Sequence, residues 1–102
     1  MGYYHLKLVA PRASFPFDMS EAEKEAMSAH AVYWRQRADE KLAVAVGPVF
    51  DPKGAWGMAL VETENEAEAE ALGAADPIIQ AGLGFRYETA AMPSLILRDI
   101  PN

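Results

Sequence analysis

The chain has 102 residues, 51% of them hydrophobic and 24% charged, the composition of one globular domain and not of a disordered segment. Its formal net charge of −6 gives an acidic surface that repels phosphate backbones; the basic residues are scattered, with Arg35 and Arg37 the closest set, so nucleic-acid binding is disfavoured. There is no cysteine, which excludes disulfides, thiolate metal sites and cysteine nucleophiles.

The opening MGYYHLKLVAP has neither the basic start nor the long apolar stretch of a signal peptide. No apolar run approaches the roughly 20 residues that cross a bilayer. A small chain without disulfides suits a reducing compartment, so the expectation is a cytoplasmic protein with no membrane segment.

Tyr3 to Ala10 alternates Tyr4, Leu6 and Leu8 with His5 and Lys7, the period-two pattern of a half-buried strand, and Pro11 stops it. Arg12 to Met19 reads as a loop. Ser20-Glu21-Ala22-Glu23 has the form of a capping box and predicts a helix from Glu21 to Asp39, with acids near its positive end. Met27, His30, Ala31, Trp34 and Ala38 form its inner stripe at spacings of three and four, leaving Glu23, Lys24, Ser28, Arg35 and Asp39 mostly on other faces. Leu42 to Val46 predicts a second strand closed by Gly47-Pro48. Asp51-Pro52-Lys53-Gly54 is a turn sequence, and Gly57 to Glu62 predicts a third strand. Asn65 can cap a second helix over Glu66 to Leu72, with Gly73 at its C-cap. Asp76-Pro77 opens a further turn of helix, Asp76 at the N-cap and Pro77 at the first position. Phe85 to Met92 predicts a fourth strand, and Ser94 to Leu97 a short extra one.

The order β-α-β-β-α-β is the ferredoxin-like arrangement of an α+β domain spanning residues 1–102, a four-stranded antiparallel sheet with both helices on one face. The other face is left bare and lined by tyrosine or aliphatic residues. A bare apolar face on so short a chain predicts a homodimer through that face, or a bound small molecule.

Two readings of His30 stand open. Trp34 and Met27 turn its helix face toward the sheet, where an imidazole must find a hydrogen-bond partner. It is either a satisfied structural histidine or the acid/base of a site. Asp76 is likewise either a plain N-cap or a carboxylate that also orients His30. Arg12, after the first strand, could hold an anionic substrate group. Gly47 and Pro48 could line a cleft or simply turn the chain. His5 lies on a sheet face as a surface or interface residue. Trp34 reads as a core anchor and Trp56 as a loop or interface contact. Two distant histidines and no cysteine give no metal-ligand spacing, and there is neither a phosphate-binding glycine loop nor a nucleophile-elbow serine. No cofactor is expected.

Taken in order, these segments resemble the YciI-like (YCII-related) family. The residues that carry the resemblance are the opening strand with Tyr4, Met27-Ser28-Ala29-His30 followed by Tyr33, and Val46-Gly47-Pro48. Gly57, the Glu/Ala helix, Asp76-Pro77 and Gly82 to Glu88 complete the set. One departure is Ile78, which follows Pro77 where the family usually has an aromatic residue. The resemblance implies a dimeric α/β-barrel and a site made of the helix histidine and the aspartate of the Asp-Pro motif, here His30 and Asp76. Arg12, Tyr33, Gly47 and Pro48 are the candidate substrate-binding residues. The expectation is a small-molecule enzyme that uses this pair for proton transfer, as in elimination, isomerisation or lactone chemistry. The alternatives are a non-catalytic ligand-binding or sensing dimer and a purely structural dimer.

Overall fold

A computed structural model describes residues 1–99. Its elements run β1 (Gly2–Val9), α1 (Glu21–Asp39), β2 (Ala43–Val49), β3 (Trp56–Thr63), α2 (Glu66–Ala74), α3 (Pro77–Gln80) and β4 (Arg86–Met92). The four strands form one sheet in the order β2-β3-β1-β4, with every neighbouring pair antiparallel. This is the ferredoxin-like α+β fold. Among the described residues, no helix is long and apolar enough to cross a membrane.

Strand periodicity decides which residues meet the helices. Leu6 pairs in register with Ala59 and Thr89, and it packs with Trp34 of α1 and Ala69 of α2. Leu8 pairs with Gly57 and Tyr87 and packs with Ala26 and Ile78. The even-numbered residues of β1 therefore face all three helices. Tyr3, His5, Lys7 and Val9 face the other way, alongside Trp56, Met58 and Leu60 of β3. Leu6, Val61 and Ile78 are fully buried, and removing each side chain from water contributes about 1.5–3 kcal/mol. Ile78 fills its position in the second of two apolar clusters, beside Phe15 and Phe85.

The capping box forms as the sequence predicts, and α1 keeps the expected bounds. The Glu23 amide donates to Ser20 Oγ at 3.1 Å, and the Ser20 amide donates to Glu23 Oε1 at 2.9 Å. The predicted stripe Met27, His30, Ala31, Trp34 and Ala38 does face the sheet, where all five residues line one cavity; the departure is Glu23, which the helical spacing puts on another face. Glu23, Ala26 and Trp34 are the buried positions, whereas Ala31 and Ala38 are exposed. Glu23 turns inward because Arg12 meets it there as a counter-ion.

Three segments differ from the sequence reading by more than a single residue at an end. β2 does not stop at Gly47-Pro48 but runs through both to Val49, with an irregularity between Ala43 and Ala45. It is an edge strand, and there a proline's missing N–H breaks no ladder. Gly73 is not a C-cap: α2 continues to Ala74 and Ala75 caps it. Gly73 is a packing residue, since a Cβ there would lie 3.0 Å from the Tyr87 ring and 3.2 Å from Leu6. Ser94 to Leu97 forms no strand, and Ile96 and Leu97 are exposed.

Candidate functional site

Asp76 is fully buried, and its two oxygens divide two tasks. Oδ1 accepts from the Ile78 amide at 3.0 Å, which caps α3. Oδ2 accepts from three side chains: the Tyr87 hydroxyl at 2.6 Å, Trp34 Nε1–H at 2.7 Å and His30 Nδ1 at 2.7 Å. The cap and the functional partner, alternatives in the sequence, are thus one residue. Burial alone would raise the Asp76 carboxyl. The hydrogen bonds from His30, Tyr87 and the Ile78 amide more than offset it and hold the carboxyl below its ordinary value.

The helix and strand geometry explains this convergence. His30 and Trp34 are four residues apart on α1, so both side chains point the same way. Tyr87 reaches from β4 on the helix-facing side of the sheet, and its hydroxyl also accepts from Trp34 Nε1–H at 3.1 Å. Burial, and then the charge of Asp76, push the Tyr87 phenol far up, so it stays a donor. Tyr87 was invisible as a site residue in the sequence, and Trp34 read only as a core anchor. The available signal was the need of a buried carboxylate for several donors, which a tryptophan one turn beyond His30 can meet.

An ionised carboxylate only accepts hydrogen bonds, so His30 Nδ1 carries the proton and Nε2 is the basic nitrogen. Among the described residues Nε2 has no hydrogen-bond partner. No buried side-chain nitrogen or oxygen among those residues lacks a partner, so Nε2 reaches open space. His30 lines a cavity of about 640 Å³ between α1 and the sheet, within the range of small-molecule sites. Its walls include Phe15, Met27, Trp34 and Phe85, with Gly47 and Pro48 along β2. The side chain of His30 is 15% exposed.

Two candidate binding residues stand elsewhere. The Arg12 guanidinium does not line the cavity; it binds Glu23 through two 2.7 Å hydrogen bonds and also pairs with Asp18 at 3.0 Å. The Arg12 hydrogen bond, followed by that from the Ser20 amide, holds the Glu23 carboxyl down at about 2. Tyr33 donates its hydroxyl to the Leu72 carbonyl at 2.7 Å and lies under the Arg37 guanidinium, tying α1 to α2 outside the cavity. On the bare face, Trp56 is flanked by His5 at 5.9 Å and by Lys7 Nζ at 4.9 Å. Among the described residues, no cluster of three or more His, Asp or Glu side chains is arranged to hold a metal ion.

The family model for the YCII-related domain matches residues 3–92. No curated protein matches the chain.

Proposed function

The chain belongs to the YCII-related family, and from that premise we propose that the cavity beside His30 is the active site of an enzyme that moves a proton on a small, mostly apolar molecule. The observation that carries the reading is the orientation of His30: Nδ1 held by a buried carboxylate with three further donors, and Nε2 unpartnered among the described residues, on a side chain that lines a cavity. A structural histidine needs only a backbone carbonyl or water to be satisfied. A fully buried carboxylate is a costly way to fix one, and is tolerable only because both of its oxygens accept hydrogen bonds, four in all.

In this reading His30 Nε2 takes a proton from a carbon or hydroxyl of the substrate. Asp76 stabilises the imidazolium that forms without itself becoming protonated. His30 then returns the proton at a second atom, completing an isomerisation, or at a leaving group, completing an elimination. Trp34 and Tyr87 keep Asp76 in place, and both also form part of the cavity wall. Two copies pair through the bare sheet face, a reading supported by the apolar Val9, Trp56, Met58 and Leu60 that it presents. The cysteine-free composition suits the cytoplasm.

The test is hydrogen–deuterium exchange at activated carbon, followed by proton NMR in deuterated buffer over a panel of small aryl ketones, 1,3-diketones and γ-lactones. The wild type should wash out signal from at least one class. His30→Gln should lose that rate by about 10²-fold or more, the usual contribution of a positioned base. A rate that survives His30→Gln refutes the assignment. Binding without exchange in any class leaves the cavity a ligand-binding site and removes the enzyme.

A further inference from the structure

The cavity is apolar deep inside but charged at its edge. Arg35 and Asp39 lie one turn apart on α1, both exposed and both lining the cavity, so they mark where it opens to solvent. The Arg12, Arg37 and Arg86 guanidiniums are committed to ion pairs with Glu23, Glu40 and Glu88. Among the described residues, Arg35 has no ion pair or hydrogen bond, and it is not paired with Asp39. A guanidinium left free at the mouth of an aromatic-walled cavity presents a planar fork of donors that matches a carboxylate.

We infer that the cavity takes an apolar or aromatic carboxylic acid, its carboxylate on Arg35 at the mouth and its apolar body reaching in toward His30 Nε2. This deepens the proposed function and rests on it. Five residues of α1 separate the two side chains, a rise of about 7.5 Å along the helix axis. A molecule the size of phenylacetate or 3-phenylpropionate spans that distance. Asp39 shares the rim and repels an anion, so the preference for an acid rests on Arg35 and disappears with it.

The experiment titrates ¹⁵N-labelled protein with phenylacetate and 3-phenylpropionate and with their primary amides. It follows the Trp34 indole N–H and the His30 ring. In the wild type the acids should bind about fivefold tighter than the amides, the upper range for a partly exposed ion pair. High salt should erase that difference. In Arg35→Gln the amides should bind as before, and the acids should fall to or below them. Equal binding of acids and amides to the wild type, or an acid preference that survives Arg35→Gln, overturns the inference and leaves the cavity as a binding site. If neither class shifts Trp34 or His30, the inference and the cavity reading fall together.

Discussion

Replacing Tyr87 by phenylalanine deletes one oxygen and leaves the ring. That oxygen donates to Asp76 Oδ2 at 2.6 Å and accepts the longer branch of a shared bond from Trp34 Nε1–H. Trp34 keeps its own 2.7 Å bond to Asp76, so the indole is not orphaned. The loss is one hydrogen bond to a buried charge, worth about 1.5–3 kcal/mol. For a domain of this size that lowers the melting temperature by roughly 4–8 °C per kcal/mol. The pH dependence makes the test specific. The folded-state carboxyl of Asp76 lies below its ordinary 3.8, so its stabilisation is complete above that value and is lost as pH falls below it. The deficit of Tyr87→Phe should therefore be full at neutral pH and shrink in acid, measured by urea denaturation at each pH. A deficit under about 0.5 kcal/mol, typical of a plain surface change, would refute the account of Asp76. So would a deficit of equal size at neutral and acidic pH.

Gly73→Ala should gain about 0.8–1 kcal/mol of helix propensity but lose about 1–3 kcal/mol to overpacking, because Tyr87 and Leu6 cannot retreat from the new Cβ. A net loss in thermal stability is expected, and a gain would show that the close approach is not needed. Asp76→Asn replaces one acceptor oxygen by an amide donor, so the Nδ1–H tautomer of His30 is no longer enforced. ¹⁵N spectra should then show the Nε2–H form rising, and an unchanged tautomer would mean that Asp76 does not set it. The Glu23 carboxyl, held at about 2 against an ordinary 4.5, contributes stability above 4.5 that is lost as pH falls toward 2. Glu23→Gln should remove that acid-dependent component from the unfolding curve, and an identical pH profile would refute the role given to Arg12.

Local rules made the skeleton legible, and contacts between distant segments decided what was not. The capping box placed α1, and Asp76-Pro77 placed the N-terminus of α3, because both signals lie within a few residues. β2 was cut short because Gly47-Pro48 carries a strong turn signal; only the edge position, a tertiary fact, makes proline tolerable there. Gly73 sits where a C-cap glycine would sit, yet the sheet beneath α2 is what requires it. Arg12 was a candidate because a loop arginine can hold an anionic group, and Tyr33 because of the family resemblance. Arg12 instead neutralises Glu23, whose inward turn the helical stripe did not foresee. Ser94 to Leu97 has strand composition but finds no partner strand.

The same reasoning explains why His30 and Asp76 stayed ambiguous in the sequence. A carboxylate that caps a helix seems already used, since a single oxygen satisfies the first turn. A carboxylate has two oxygens and about four acceptor positions. Burial then makes the remaining positions a liability unless donors fill them. Here three side chains from α1 and β4 converge on the second oxygen, Oδ2, at 2.6–2.7 Å. The cap fixes Asp76 to the start of α3, the tryptophan and tyrosine fix its orientation, and the histidine joins them on Oδ2. His30 is therefore oriented by one buried charge that three further donors hold in place, two of which, Trp34 and Tyr87, also line the cavity. Removing the Tyr87 hydroxyl should therefore lower stability while Asp76 still holds His30 in its Nδ1–H form, whereas Asp76→Asn should release that tautomer, so the tautomer of His30 separates the orienting role of Asp76 from the stability it carries.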